Sequence, residues 1–194
     1  MCCDTKKRIA AALHTLMQER QFQKITVQDV MNLAKMKRQS FYYHFQDIYD
    51  VLEWELDRCF FTPLAQQPDL SLEKCCCNYL LLLDKHRSFY RKAITILGRD
   101  HFSQRLHPII LCQIERSLFG KQYEISQAPD DMLMAIDFIA YGFVNYFLDV
   151  LLSREEINSE YVRDRVCAAC RMTISLRQRG MRSAPQEIAE NLTA

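Results

Sequence analysis

A chain of 194 residues with 49% hydrophobic side chains can bury one substantial core or two smaller ones, which excludes a disordered or fibrous protein. Its 4 glycines and 5 prolines are too few for a turn-rich β-sandwich and favour long helices joined by short loops. The net charge of +1 hides an asymmetry: residues 1–50 carry eight Lys/Arg against five Asp/Glu, a local +3 that leaves −2 for the remainder, so the basic excess sits at the head.

From Thr5 onward, Ile9, Leu13, Leu16 and Met17 recur at helical spacing behind Lys6, Lys7 and Arg8, which predicts a first amphipathic helix over 5–19. Phe22 falls in the loop after it. Thr26 is a good N-cap, and Asp29 three residues on suits a capping box, for a short second helix with Val27, Val30, Met31 and Ala34 facing inward. A basic break at Lys35-Met36-Lys37 precedes a third helix, Arg38 to Phe45. Phe41 and Phe45, four apart, share its inner face, with Gln39, Ser40 and Tyr43 opposite and Tyr42 at the flank. Asp47 caps a fourth helix through Val51, Leu52, Trp54, Leu56 and Phe60 that should end near Pro63. Residues 64–70, with Gln66, Gln67 and Pro68, read as a loop. Further helices are expected at 71–86, 88–97, 100–119, 129–152 and 159–179, Pro108 kinking the third of these and Gly180 closing the last.

Met1 to Arg8 runs into the first amphipathic pattern with no apolar stretch of signal-peptide length. The apolar run Ile136–Leu152 is broken by Asp137, Asn145 and Asp149, so a cytoplasmic protein without a membrane span is expected. The nine cysteines, an odd number with no export signal, read as reduced thiols.

Residues 26–45 have the dimensions of a helix-turn-helix, in which the second helix presents side chains to base edges. Arg38 and Gln39, at the start of the third helix, suit guanine and adenine edges, and Ser40 can bond a base or a phosphate. Thr26, Lys35, Lys37, Tyr42, Tyr43 and His44 suit phosphates or thymine methyls and would position the head. On the helix Thr5–Glu19, the opening Thr26-Val27-Gln28-Asp29-Val30 and above all Ser40-Phe41-Tyr42-Tyr43-His44-Phe45 followed by Asp47 to Leu52, the sequence resembles the tetracycline-repressor (TetR) family over roughly its first 60 residues. The resemblance implies an all-α protein: a three-helix DNA-binding head, read as 1–50, and a larger helical sensing and dimerisation body, read as 51–194. Two positions depart from the family pattern. Lys35 stands where the turn usually has glycine, although lysine tolerates left-handed backbone poorly. Ile48 replaces the basic residue that commonly opens the fourth helix, removing a phosphate contact. The strings Arg38-Gln39-Ser40-Phe41-Tyr42 and Leu52-Glu53-Trp54 look like the subgroup of dihydroxyacetone-kinase operon regulators of Firmicutes, which implies a protein co-regulator as one source of the signal.

In the body, apolar residues from Met132 to Leu152 occupy nearly every helical direction, so that helix must be covered on more than one side. Val162, Val166, Ala169, Cys170 and Thr173 make a small-residue stripe on the 159–179 helix. With Phe138, Tyr141, Asn145 and Leu148 they are expected to pair with their symmetry mates in the four-helix interface of a homodimer. Such a dimer would address successive major grooves, about 34 Å apart, of an inverted-repeat operator in double-stranded DNA. Phe89, Tyr90, Phe102, Phe119, Tyr123, Tyr141 and Phe147 form an aromatic supply for a cavity that takes a small-molecule effector, although aromatics at helical spacing serve equally as plain core.

Two other readings stay open. Cys167 and Cys170 lie three apart on one helix, and His86, His101, His107 and Cys112 fall in the middle helices, which suits a metal sensor of the same fold. One CxxC without a second pair falls short of the four ligands of a structural zinc, so no metal is assigned. The second is a helical protein-interaction adaptor that keeps the head as a docking surface. A phosphate-binding glycine loop, a nucleophile elbow and a repeated carboxylate pattern are all missing, so neither catalysis nor a cofactor is expected.

Overall fold

A computed structural model describes residues 2–66, 71–120, 130–154, 156–157 and 159–183, with backbone only at 2–3 and 176–183; among these residues every regular element is helical. In chain order they are α1 (Cys2–Glu19), α2 (Val27–Leu33), α3 (Arg38–Phe41), α4 (Ile48–Leu56), α5 (Thr62–Ala65), α6 (Leu72–Lys85), α7 (Arg87–Leu97), α8 (Arg99–Phe119), α9 (Asp130–Leu152) and α10 (Glu160–Ser183). The chain forms two compact units, residues 1–66 with 86–102 and residues 67–85 with 103–194. The head expected over 1–50 lies inside the first unit, which also takes in α4, α5 and α7.

In the first unit the helical stripe Ile9, Leu13, Leu16 and Met17 of α1 is buried, as are Val51, Leu52 and Leu56 of α4. Apolar burial at about 25 cal/mol per Å² is what holds α1 against α4, α2 and α7. Two polar ties cross this core. Arg8 Nη2 donates to the Ala34 carbonyl at 2.8 Å, joining α1 to the end of α2, and Lys92 Nζ donates to the Met17 carbonyl at 2.6 Å. The second supplies a donor to a last-turn carbonyl of α1, which has no partner within its own helix.

Pro63 does not end the fourth helix as expected. Asp57–Phe61 form a π-helical turn, and α5 continues from it with Pro63 in its first turn. Thr62 N–H bonds to the Asp57 carbonyl, five residues back, so the hydrogen-bond register is shifted by one just before the proline. Proline cannot donate to the carbonyl four residues behind it, here that of Cys59. That carbonyl instead lies 3.4 Å from the Tyr90 hydroxyl of α7, which donates to it.

The second unit packs α6, α9 and α10 on one another. Leu72, Cys75, Cys76, Tyr79, Leu80 and Leu83 of α6 are buried, together with Ala140, Val144, Phe147 and Leu151 of α9 and Val162, Val166 and Cys170 of α10. Pro108 sits inside α8, and α10 runs through Gly180 to Ser183, so that glycine is not a stop. Among the described helices α9 alone is long and apolar enough, by composition, to cross a membrane: Asp137, Asn145 and Asp149 do not lower its mean hydropathy below 1.5 over its most apolar stretch. Of that stretch 44% is buried inside the subunit, as expected of a core helix with one face outward.

Candidate nucleic-acid interface

The helix-turn-helix is built by three local devices. At the start of α2, Thr26 and Asp29 form the expected capping box. Thr26 Oγ1 accepts from Asp29 N–H at 3.2 Å, and Asp29 Oδ2 accepts from Thr26 N–H at 2.9 Å. The Thr26 hydroxyl and backbone bonds, with Arg20 nearby, hold the Asp29 carboxyl below its ordinary value of 3.8. At the end of α2 the chain turns through Lys35 at φ 55°, the only non-glycine residue with positive φ among the described residues. Lys35 N–H bonds to the Asn32 carbonyl at 3.1 Å and Met36 N–H to the Met31 carbonyl at 2.9 Å, the paired bonds of a Schellman closure. The position usually given to glycine thus keeps its left-handed geometry with a lysine in it, at a cost of about 1–2 kcal/mol.

The third device is the burial of Phe41 and Phe45. Both are closed off from solvent, 5.9 Å apart between ring centroids, and Phe45 meets Trp54 of α4 at 6.0 Å. Lys6 Nζ lies 5.0 Å from the Phe45 ring, a cation–π contact from α1. The regular helix α3 is one turn, shorter than the expected 38–45, because the segment 42–44 relaxes into turns. The bond from Phe45 N–H to the Phe41 carbonyl, 3.0 Å, keeps the helical path that stacks the two rings.

With its inner face fixed, the segment turns its other side to solvent. Lys37, Arg38 and Gln39 are exposed, Tyr42 is 55% and Tyr43 78% exposed, and Ser40 and His44 are half-buried. Arg38 Nη2 lies 3.4 Å from the Tyr42 hydroxyl one turn on, which aligns the two side chains along the helix. Thr26 and Lys35 are exposed on the same helix pair. At the next helix Asp47 caps α4 through Asp50 N–H at 2.9 Å. Tyr49, 46% exposed in the first turn of α4, brings a hydroxyl beside Ile48 where the sequence reading saw only a lost cation.

The other candidate sets fare differently. Phe89, Tyr90 and Phe102 are buried in the first unit, with Phe89 against His14 at 4.5 Å, Tyr90 against Phe60 at 4.7 Å and Phe102 against Phe61 at 5.7 Å. Phe119, Tyr141 and Phe147 belong to the second unit: Phe147 packs on Tyr79 and Phe143, and the half-exposed Tyr141 stacks on His107 at 3.9 Å. Tyr123 lies outside the described residues. Phe89, Tyr90 and Phe102 thus pack within the first unit and Phe119, Tyr141 and Phe147 within the second. Of the expected pairing residues, Phe138, Tyr141, Asn145 and Ala169 face solvent, whereas Leu148, Val162, Val166, Cys170 and Thr173 are buried within the subunit. Of the stripe Val162, Val166, Ala169, Cys170 and Thr173 expected on α10, four residues are buried in the subunit and Ala169 is exposed.

The histidines and cysteines of the metal reading are dispersed. His101 Nε2 meets Glu53 Oε1 at 2.9 Å, His107 Nε2 lies 3.0 Å from Asp137 Oδ1, and Cys170 faces Cys76. Among the described residues no three such side chains gather as a metal site. One feature escaped the sequence reading: the Tyr79 hydroxyl of α6 is buried without a hydrogen-bond partner, near Cys75, whose thiol donates to Gln113 Oε1 at 3.6 Å.

A capped helix, a tight turn and a second helix with a polar outward face, carried on an all-helical chain, define a helix-turn-helix regulator. The second half of the chain agrees: residues 71–171 match the TetR-type family model described as a transcriptional regulator C-terminal region. The chain belongs to the TetR family of transcriptional regulators. It is 35% identical over 103 residues to the HTH-type dhaKLM operon transcriptional activator DhaS of Lactococcus lactis subsp. lactis (strain IL1403). That alignment takes in 50% of this chain and 54% of the relative, about half the length of each. The solved structure of a dihydroxyacetone kinase operon activator, DhaS, superposes with a TM-score of 0.69 at 22% identity, over 89% of this chain and 97% of that one, which shows a shared fold.

Two outcomes follow from the local geometry. Lys35→Gly removes the left-handed penalty and should stabilise the protein by about 1 kcal/mol in urea or thermal melts. Thr26→Ala should lower the melting temperature at neutral pH. Because the Asp29 carboxyl is depressed in the folded state, its contribution is complete above the ordinary value of 3.8 and is lost as pH falls through the folded value. The gap between wild type and Thr26→Ala should therefore narrow in melts taken at progressively lower pH.

Proposed function

We propose that this chain is a cytoplasmic homodimer that reads an inverted-repeat operator in double-stranded DNA and is gated by a signal received in the second unit. The observation that carries this reading is the outward display of Arg38, Gln39, Tyr42 and Tyr43 from a segment anchored behind by Phe41 and Phe45. Arg38 and Gln39 would meet base edges, with Ser40 beside them; Thr26, Lys35, Lys37, Tyr42, Tyr43, His44 and Tyr49 would meet phosphates, sugars or thymine methyls.

Dimerisation is supported by the outer face of α9 and α10. Phe138 is 70% and Met172 72% exposed, with Met134, Tyr141 and Tyr161 also outward. A groove of about 630 Å³ runs between the two helices, lined by Ile139, Gly142, Phe143, Tyr146, Ala169 and Met172 among others. A monomer seldom leaves so many large apolar side chains together in water, and Gly142 and Ala169 leave room for a second backbone. The pairing face is therefore Phe138, Tyr141, Asn145, Ala169 and their exposed neighbours, without the five residues buried in the subunit. For the signal, the unpartnered Tyr79 hydroxyl and Gln113 offer buried polar groups to an effector or to a rearrangement driven by a protein co-regulator. The resemblance to DhaS, which activates the dhaKLM operon, favours activation as the outcome.

The test is a gel shift of the purified protein against its own upstream DNA across a salt series. Operator binding should weaken steeply with salt, and Arg38→Ala and Tyr42→Ala should each abolish it while leaving the dimer intact. Wild-type-like binding by both variants refutes the assignment, and an interaction indifferent to salt points to a protein-docking adaptor. Phe138→Lys combined with Met172→Lys should convert the dimer to monomer in sedimentation and reduce operator affinity with it; a dimer that survives places the pairing face elsewhere.

A further inference from the structure

In the second unit, α6 and α10 lie antiparallel and pack through cysteines. Glu73 of α6 pairs with Arg171 of α10 at 3.6 Å, Cys76 with Cys170, and Cys77 with Cys167, so numbers rise along one helix as they fall along the other. The result is two thiol pairs side by side. The inner one, Cys76 with Cys170, is closed off from solvent, and contact with Cys170 together with burial pushes the Cys76 thiol far up. A thiol kept neutral and inaccessible is inert. The outer pair differs: Cys77 and Cys167 are both partly exposed and lie one turn along their helices from the Glu73–Arg171 pair, which sets them opposite one another with the Glu73 carboxylate nearby.

We propose that Cys77 and Cys167 are a dithiol that low-molecular-weight disulfides convert into a cross-link between α6 and α10. The Cys77 thiolate attacks one sulfur of the small disulfide, forming a mixed disulfide and releasing one small thiolate. The Cys167 sulfur then attacks the Cys77 sulfur: the Cys77–Cys167 bond forms, the bond to the small thiol breaks, and the Cys167 proton passes to the Glu73 carboxylate. Two electrons leave the protein dithiol and reduce the small disulfide to two thiols. The order of attack follows from the surroundings. The bond to Glu73, with burial and the neighbouring Cys77, pushes the Cys167 thiol up to about 12, so it seldom starts the exchange. It is instead placed opposite the sulfur it must attack, where effective concentration outweighs its low thiolate fraction. Two neighbouring thiols are less available: Cys75 is buried and donates to Gln113, and burial and Glu55 push Cys59 up to about 11. Because α10 contributes half of the proposed pairing face, a covalent tie to α6 would fix that helix in place.

The full-length protein, reduced and then freed of reductant, is treated with oxidised glutathione, its remaining thiols are alkylated, and tryptic peptides are weighed. The expected product is peptide 75–85 joined to peptide 166–171, lighter by about two mass units than the two thiol peptides together. The link should vanish in C77S and in C167S, with C167S stalling as a glutathione adduct on Cys77, and should persist in C76A and C170A. An absent link, a wild type that stops at the glutathione adduct, or a link that survives C77S or C167S overturns the proposal. Alanine at the two inner positions keeps an apolar side chain there, and the wild-type reaction by itself already distinguishes a link from no link.

Discussion

The surface proposed to read DNA depends on the burial of two rings. Phe41 and Phe45 are four residues apart on a segment whose regular helix is a single turn, and such a segment has almost no intrinsic stability. Its orientation comes from Trp54 beneath, from Lys6 over the Phe45 ring and from the closure through Lys35 that delivers the chain to Lys37. Truncating a buried phenylalanine typically costs about 3–5 kcal/mol, a large share of the stability of a small unit. The exposed side chains Arg38, Gln39, Tyr42 and Tyr43 inherit their direction from this anchoring, so the proposed reading surface is specified by rings buried beneath it.

The second unit sets the same problem on a larger scale. Helix α9 is apolar nearly all round, and only part of that surface is used within the subunit. Val144, Phe147 and Leu151 go inward, while Phe138 and Met134 remain in water. The small residues of α10 divide likewise: Val166, Cys170 and Thr173 meet the interior, Ala168 and Ala169 the solvent. Tight packing of α10 on α6 needs slender side chains at the contact, and cysteine, small and weakly polar, suits that role as well as valine or alanine.

What could be read from the amino acids was whatever is decided over a few residues. The Thr26–Asp29 box, the cap at Asp47, the inward Phe41 and Phe45 and the outward Arg38, Gln39 and Tyr43 all follow from helical spacing and the hydrogen-bonding habits of short polar side chains. What could not be read needed knowledge of the partner. Periodicity grouped Val162, Val166, Ala169, Cys170 and Thr173 on one side of a helix, but not whether α6 or a second subunit covers that side. Phe89, Tyr90 and Phe147 show the same helical spacing whichever rings they pack against, His14 and Phe60 in one unit or Tyr79 and Phe143 in the other. Cys76 and Cys77 meet Cys170 and Cys167 only because two helices distant in sequence run antiparallel, which no local pattern announces. Gly180 and Pro63 were read as stops on propensity alone, and each was overruled by the helix around it.

The shifted register at Asp57–Phe61 reaches beyond its own turn. A π-helical turn amounts to one extra residue threaded into an otherwise α-helical path, and it lets the adjacent Phe60 and Phe61 both point into the core. Deleting a single residue there would regularise the hydrogen bonds and leave Leu64 facing the core, because the wider turn absorbs the extra residue without passing a rotation on to the helix downstream. Comparison with relatives that keep an unbroken helix at this point would therefore require a one-residue gap inside the helix, a position where alignment procedures ordinarily forbid one.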